Sequence, residues 1–252
     1  MTRYKILISY IGTDFGGWQI QPNAPSIQHA LEKALHHVAR ETPRVIGSGR
    51  TDAGVHALGQ VAHFTLEKEM DPYRLRYSLN ALLPQRIRVM ELHICAPTFH
   101  AQYDALQKEY HYHIQTCPVV TPFVRPYAWH IQWPLDFTLL NQAAHQLLGK
   151  HDFVAFANSS NEGTAAHDSI RTLTKLQRVE EPGGFRLEFE ADGFLYKMVR
   201  NLTGTLIEIA RERLPLTSIA TIFQSRDRRL VPSAAPAHGL FLMRVDYPSL
   251  ED

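Results

Sequence analysis

Sulfur is scarce in this chain. Its two cysteines, Cys95 and Cys117, lie far apart and form no C-x-x-C pair. That arrangement offers no zinc site and suits a reducing compartment. Long apolar runs are also missing. No stretch approaches the roughly 18 consecutive apolar residues of a membrane span, so no membrane partner is expected. The N-terminus enters a strand-like pattern at Tyr4 without the three regions of a signal peptide, and a cytoplasmic protein is expected. Charge of one sign is lacking too. The 26 Lys and Arg residues offset 25 Asp and Glu, leaving a net charge of +1. Global charge therefore does not announce a nucleic-acid binder. No Gly-Lys-Ser/Thr phosphate loop occurs, and no G-x-S-x-G elbow supports a hydrolase triad. No low-complexity segment is present.

What remains is a chain of 252 residues, 44% hydrophobic, enough for one large domain or two small ones. Its arginines are unevenly spread. Residues 72–90 carry Arg74, Arg76, Arg86 and Arg88 without an acid, and residues 226–229 read Arg-Asp-Arg-Arg. Such stripes either bind phosphate or form solvated charged faces.

Periodicity predicts the elements. Tyr4, Ile6, Ile8 and Tyr10 alternate on a strand over 4–10. Ser26 caps a helix whose apolar stripe runs from Ile27 to Val38. A strand follows at 61–66. Asp71-Pro72 opens a helix through Leu83, and strands are predicted at 87–95 and 109–115. A helix spans 136–148 and ends at Gly149. Residues 172–180 and 185–191 form a hairpin around Pro182-Gly-Gly184. A long helix covers 194–213, and a strand covers 240–247. Strands and helices mix without strict alternation, which predicts an α+β fold with helices on a mainly antiparallel sheet. Two halves of similar make-up are expected, 1–104 and 105–252, without a detectable sequence repeat.

The most informative stretch is Gly47-Ser-Gly-Arg-Thr-Asp-Ala-Gly-Val-His56. Its glycines frame Arg50 and Asp52 in a segment with neither helical nor strand period. Glycine tolerates positive φ and close approach at an entropic cost. Such a loop either presents a carboxylate and a guanidinium at a site or is an ordinary turn. On the strand at 109–115, Tyr110, Tyr112 and Ile114 share one face, and His111 and His113 share the other. The histidine pair lacks a third ligand at a motif spacing, so no metal is expected. The tyrosines are either core residues or a stacking surface for a base. Lys197, Arg200 and Asn201 are polar among apolar neighbours. Lys197 and Arg200 fall three apart on the expected helix, as a basic edge in water or as cations held at a cleft.

These motifs, in this order, resemble those of the tRNA pseudouridine synthase A family. The match runs end to end through Tyr10–Pro22, Gly49–Ala57, Leu79–Pro84, Phe99–Ala101, Lys108–Tyr112, His151–Phe153, Gly193–Asn201 and Ala235–Leu240. The resemblance implies a pseudouridine synthase fold of two α+β halves with a central mixed sheet, a homodimer, a basic tRNA-binding cleft and no cofactor. It implies action on uridines 38, 39 and 40 of the anticodon arm. It makes Asp52 the catalytic aspartate and Arg50 the arginine beside it. It makes Tyr110 the active-site tyrosine, Arg200 the basic residue near the carboxylate and Leu240 the apolar lining of the base pocket. Lys197, Asn201, Arg74 and Arg76 are expected to add substrate contacts. Two departures stand out: Ser48 replaces a usual alanine, and Leu230–Ala234 lacks a glycine often found there.

The chemistry fits these residue types. Isomerisation breaks the N1–C1′ bond, turns the base and joins C5 to C1′. A carboxylate serves as nucleophile or as stabiliser of charge at the sugar, as in glycosidases. The C5 proton must then leave to a base, directly or through water. Tyr110 is open to two roles, stacking on the base or moving that proton. The uridine must leave the helical stack to be reached. Two rival readings are an RNA-binding module using Tyr110 and Tyr112, and a glycoside hydrolase built on Asp52. The first needs no carboxylate beside phosphates. The second needs a paired carboxylate that the sequence does not offer.

Overall fold

Alternation, caps and turn residues set the element boundaries in the computed structural model, which describes residues 1–158 and 168–248. In chain order the elements begin with β1 (Thr2–Tyr10), α1 (Ile27–Ala39), β2 (Ile46–Gly47), β3 (His56–Leu66), α2 (Pro72–Leu82) and β4 (Ile87–Ile94). Next come β5 (Gln107–Gln115), β6 (Trp129–His130), α3 (Phe137–Leu147), β7 (Gly149–Asp152), β8 (Ile170–Glu181) and β9 (Gly184–Ala191). The last are α4 (Met198–Ala210), α5 (Ser218–Ser225) and β10 (Leu240–Asp246). None of the described helices is long and apolar enough to cross a membrane.

The chain divides into two units. The first holds Met1–Leu106 and the segment from Phe241, and the second holds Gln107–Leu240. Phe241 and Leu242 of β10 pair in parallel with His56 and Ala57 of β3, inside the first unit.

In the first unit the strand order is β4–β1–β3–β10, with β2 added to β3. β1 pairs antiparallel with both β3 and β4. Tyr4, Ile6, Ile8 and Tyr10 are buried, as the alternation predicts. So are Leu31 and Leu35 of α1 and Leu75 and Leu79 of α2. Each such side chain contributes about 1.5–3 kcal/mol by leaving water. Ser26 caps α1 by accepting from the His29 N–H, and Asp71 caps α2 by accepting from that of Arg74. β3 begins five residues before the predicted strand, because Ala57 already pairs with Tyr10.

The face of β1 that carries Arg3 and Lys5 meets the segment after β4. Arg3 donates to the Phe99 carbonyl, and Lys5 lies over the Phe99 and Tyr247 rings at 5.1 and 4.2 Å. His63 is buried there. Its Nδ1 accepts from the Ala101 N–H at 3.1 Å, while the Tyr247 hydroxyl donates to the Ala101 carbonyl at 2.6 Å. Burial, reinforced by the charges of His100 and Arg3 against that of Asp104, pushes the His63 pKa down to about 4.

In the second unit the order is β5–β9–β8–β7, antiparallel throughout, with β6 parallel on β5. The β8–β9 hairpin turns at the expected Pro182-Gly183. Tyr110, Tyr112 and Ile114 sit opposite Phe189, Leu187 and Phe185 on the buried face. α3 packs on α4 and β8. The fold class is α+β, with mixed, mainly antiparallel sheet flanked by helices, as the sequence indicates. α5 and the short strands β2, β6 and β7 carry no pattern long enough to reveal them.

The predicted helix over 194–213 is shorter. α4 starts at Met198, and Lys197 stands before it at φ +60°, a left-handed conformation that no right-handed helix continues. The Tyr196 carbonyl is taken by the Asn158 N–H instead of a helical partner. Lys197 and Arg200 therefore do not share a helix face.

Candidate active site

In the first unit the loop after β2 carries Arg50, which is exposed, and Asp52, which is half-buried. The loop rests on the Gly12–Trp18 segment. The Trp18 N–H donates to the Thr51 carbonyl at 3.0 Å. Gly17 makes this approach feasible: its φ is +103°, and a Cβ there would stand 2.5 Å from the Thr51 oxygen. The Val55 N–H donates to the Asp52 carbonyl at 3.1 Å and closes the turn behind the carboxylate.

A polar network runs beneath this loop. Gln60 of β3 is wholly buried. The Ser48 hydroxyl donates to its Oε1 at 2.7 Å, and its Nε2 donates to the Gly49 carbonyl at 3.0 Å. Nε2 also reaches the Tyr10 hydroxyl at 3.5 Å, and that hydroxyl pairs with Thr51 Oγ1 at 2.8 Å. Burial pushes the Tyr10 pKa up to about 12 despite these bonds. Ser48, the departure from alanine, is thus a working member of the network. In the sequence Gln60 is marked only as an amide beside Val61 and Ala62, and that does not single it out as functional.

In the second unit Tyr110 is 8% exposed, its ring edge-on to Phe194 at 5.1 Å. Tyr112 is fully buried, and its hydroxyl donates to the Pro236 carbonyl at 2.7 Å. Burial drives the Tyr112 pKa far up, and the Arg200 charge only partly opposes it. Arg200 donates through Nε to the Ala235 carbonyl at 2.7 Å, while the Ala235 N–H donates to the Arg200 carbonyl. Gly239 packs where a Cβ would be 2.8 Å from the Tyr112 ring, and Leu240 beside it is 5% exposed. β5, α4 and the 235–240 segment thus bring Tyr112, Arg200 and Leu240 into one neighbourhood. The absent glycine in Leu230–Ala234 has no consequence for the backbone, since no residue there has positive φ. On the Tyr110 face, burial and then the Arg171 charge lower the Lys108 pKa to about 8.

The remaining expected contacts vary in exposure. Asn201 is fully buried; its amide donates to the Phe156 carbonyl and Asn158, and accepts from Arg228. Lys197 lies half-exposed, 5.2 Å from the Tyr196 ring. Arg74 is exposed on α2, whereas Arg76 donates to the Met90 carbonyl and Arg88 to those of Leu83, Pro84 and Ile87. Arg86 pairs with Asp14, Arg226 with Asp152 and Arg229 with Asp227. On the other face of β5, Glu109, His111 and Glu188 offer three ligand atoms within 4.8 Å. Cations already serve this group. Lys175 lies 2.6 Å from Glu188 and 3.3 Å from Glu109, and Arg186 lies 2.6 Å from Glu188.

A family model described as tRNA pseudouridine synthase matches residues 6–104 and 143–248. The chain belongs to the tRNA pseudouridine synthase family. As a member it is an isomerase. It is 49% identical over 245 residues to "tRNA pseudouridine synthase A 1" of Protochlamydia amoebophila, covering 97% of this chain and 96% of that one. It is 42% identical over 250 residues to "tRNA pseudouridine synthase A" of Streptococcus thermophilus, covering 98% and 100%. A relative of that name from Methylacidiphilum infernorum is 41% identical over 245 residues, covering 97% and 95%. Both the Asp52 loop and the Arg200 helix fall within the stretches matched to this family.

Proposed function

We propose that this protein converts uridine to pseudouridine at positions 38, 39 and 40 of the tRNA anticodon stem-loop, with Asp52 as the catalytic carboxylate on a flipped-out uridine. The observation that carries the reading is near-full-length similarity to proteins named tRNA pseudouridine synthase A, together with the Gly49-Arg-Thr-Asp52 loop. The protein acts in the cytoplasm as a homodimer and needs no cofactor.

Asp52 attacks or stabilises C1′ as the N1–C1′ bond breaks. The detached uracil turns, C5 bonds to C1′, and the C5 proton leaves to a base. N1, freed from C1′, takes up one proton as C5 loses one, so atoms and charge balance without water or redox chemistry. Arg50 and Arg200 supply positive charge for the carboxylate and the RNA. Tyr110 stacks on the base or moves the C5 proton, and Leu240 lines the base pocket. Arg74, Arg76, Lys197 and Asn201 support substrate binding.

The test is Asp52→Asn, which keeps shape and removes charge. It abolishes tritium release from C5-labelled tRNA and leaves tRNA affinity within about threefold of wild type. Wild-type turnover in this variant overturns the assignment.

A further inference from the structure

We propose that Gln60 is a positioning residue for catalysis: its buried carboxamide clamps the backbone of the loop that presents Asp52. This rests on the reading of Asp52 as the catalytic carboxylate and adds a residue to it.

Gln60 lies in β3 opposite Ile8 of β1, so its backbone belongs to the rigid part of the first unit. Its side chain is 0% exposed, and a buried amide persists only when its donors and acceptor are matched. Here the match fixes a direction. Nε2 donates to the Gly49 carbonyl, which directs Oε1 to the Ser48 hydroxyl. One amide therefore grips two successive residues just before Arg50. The same Nε2 meets the Tyr10 hydroxyl, whose bond to Thr51 Oγ1 holds the residue just before Asp52. The loop is anchored on both sides of Arg50, and each anchor traces to β1 or β3. Ordinary turns need no such support, since their backbone groups face water. A reacting carboxylate does need it, because displacement of a catalytic group by about 1 Å costs on the order of a hundredfold in rate. Gln60 touches no reacting atom in this account; it acts through the Gly49 backbone.

The experiment compares Gln60→Met, Tyr10→Phe and Asp52→Asn with the wild-type full-length protein. Gln60→Met keeps the length and volume of the side chain and removes both hydrogen-bonding groups. Each variant is assayed for kcat and KM by tritium release, for tRNA affinity, and for thermal unfolding, with activity expressed per folded protein. Gln60→Met is expected to lose at least tenfold in kcat, with KM and tRNA affinity within about twofold of wild type. Tyr10→Phe shows a smaller loss of the same kind, and it decides the matter if Gln60→Met does not fold. Wild-type kcat per folded Gln60→Met protein overturns the proposal, and so does a loss carried by KM alone. Asp52→Asn separates the two ideas. An inactive Asp52→Asn beside a fully active Gln60→Met removes only the clamp, whereas an active Asp52→Asn removes the reading of Asp52 on which it rests.

Discussion

Replacing His63 with asparagine should flatten the acid limb of the stability profile. The buried imidazole accepts from the Ala101 N–H through Nδ1, and its pKa lies near 4 against an ordinary 6.5. The unfolded chain therefore takes up this proton more readily than the folded one. The resulting stability is complete above pH 6.5, falls as the pH drops from 6.5 toward 4, and changes no further below that. A shift of this size is worth about 3 kcal/mol across that window. Asparagine places an oxygen near the Nδ1 position, so the Ala101 bond is retained while the titration disappears. At pH 7.5 the variant is less stable by about 1–3 kcal/mol for lost packing. Urea unfolding followed by tryptophan fluorescence at pH 7.5, 5.5 and 4.0 measures both effects. The wild type must lose about 3 kcal/mol more than His63→Asn between the first and last pH. Parallel profiles would refute the assignment of the acid sensitivity to this residue.

Three further outcomes follow from the site. Tyr110→Phe keeps the ring edge against Phe194 and loses the hydroxyl. If the hydroxyl moves the C5 proton, this variant binds tRNA normally and forms little product in a tritium-release assay, whereas Tyr110→Leu also loses about 1–3 kcal/mol of binding. A fully active Tyr110→Leu shows that another residue serves. tRNA affinity falls linearly in log–log plots against salt; Arg74→Gln lowers the slope by about 1, and a flat plot would defeat the phosphate-binding reading. Arg88→Gln, which removes a donor to three carbonyls, lowers the melting temperature and leaves the salt slope unchanged.

Much of this fold is legible in the sequence. The alternation of Tyr4, Ile6, Ile8 and Tyr10 and the caps Ser26 and Asp71 are local signals, and local signals survive into the fold. The Gly17 and Asp52 motifs were visible because backbone constraints leave glycines behind. The misses are tertiary. The start of α4 was lost because an apolar rhythm cannot reveal the left-handed Lys197 or the claim of Asn158 on the Tyr196 carbonyl. Composition suggests a basic stripe, and the fold adds that one guanidinium nitrogen of Arg76 and one of Arg88 also serve nearby carbonyls. The role of Gln60 depends on Ser48 and Tyr10, residues distant from it in sequence.

The return of β10 to β3 also orders events in time. The second unit is continuous in the chain, from Gln107 to Leu240. The first unit is interrupted by all of it. During synthesis, Gly47–His56 emerges early, yet the strand that pairs beside His56 is the last of the described strands to emerge. At about 5–20 residues per second, the His56–Ala57 end of β3 waits on the order of ten seconds for that partner. Long-range pairing of this kind is slow even in a finished chain. The whole second unit is therefore synthesised before the strand that pairs beside the Asp52 loop.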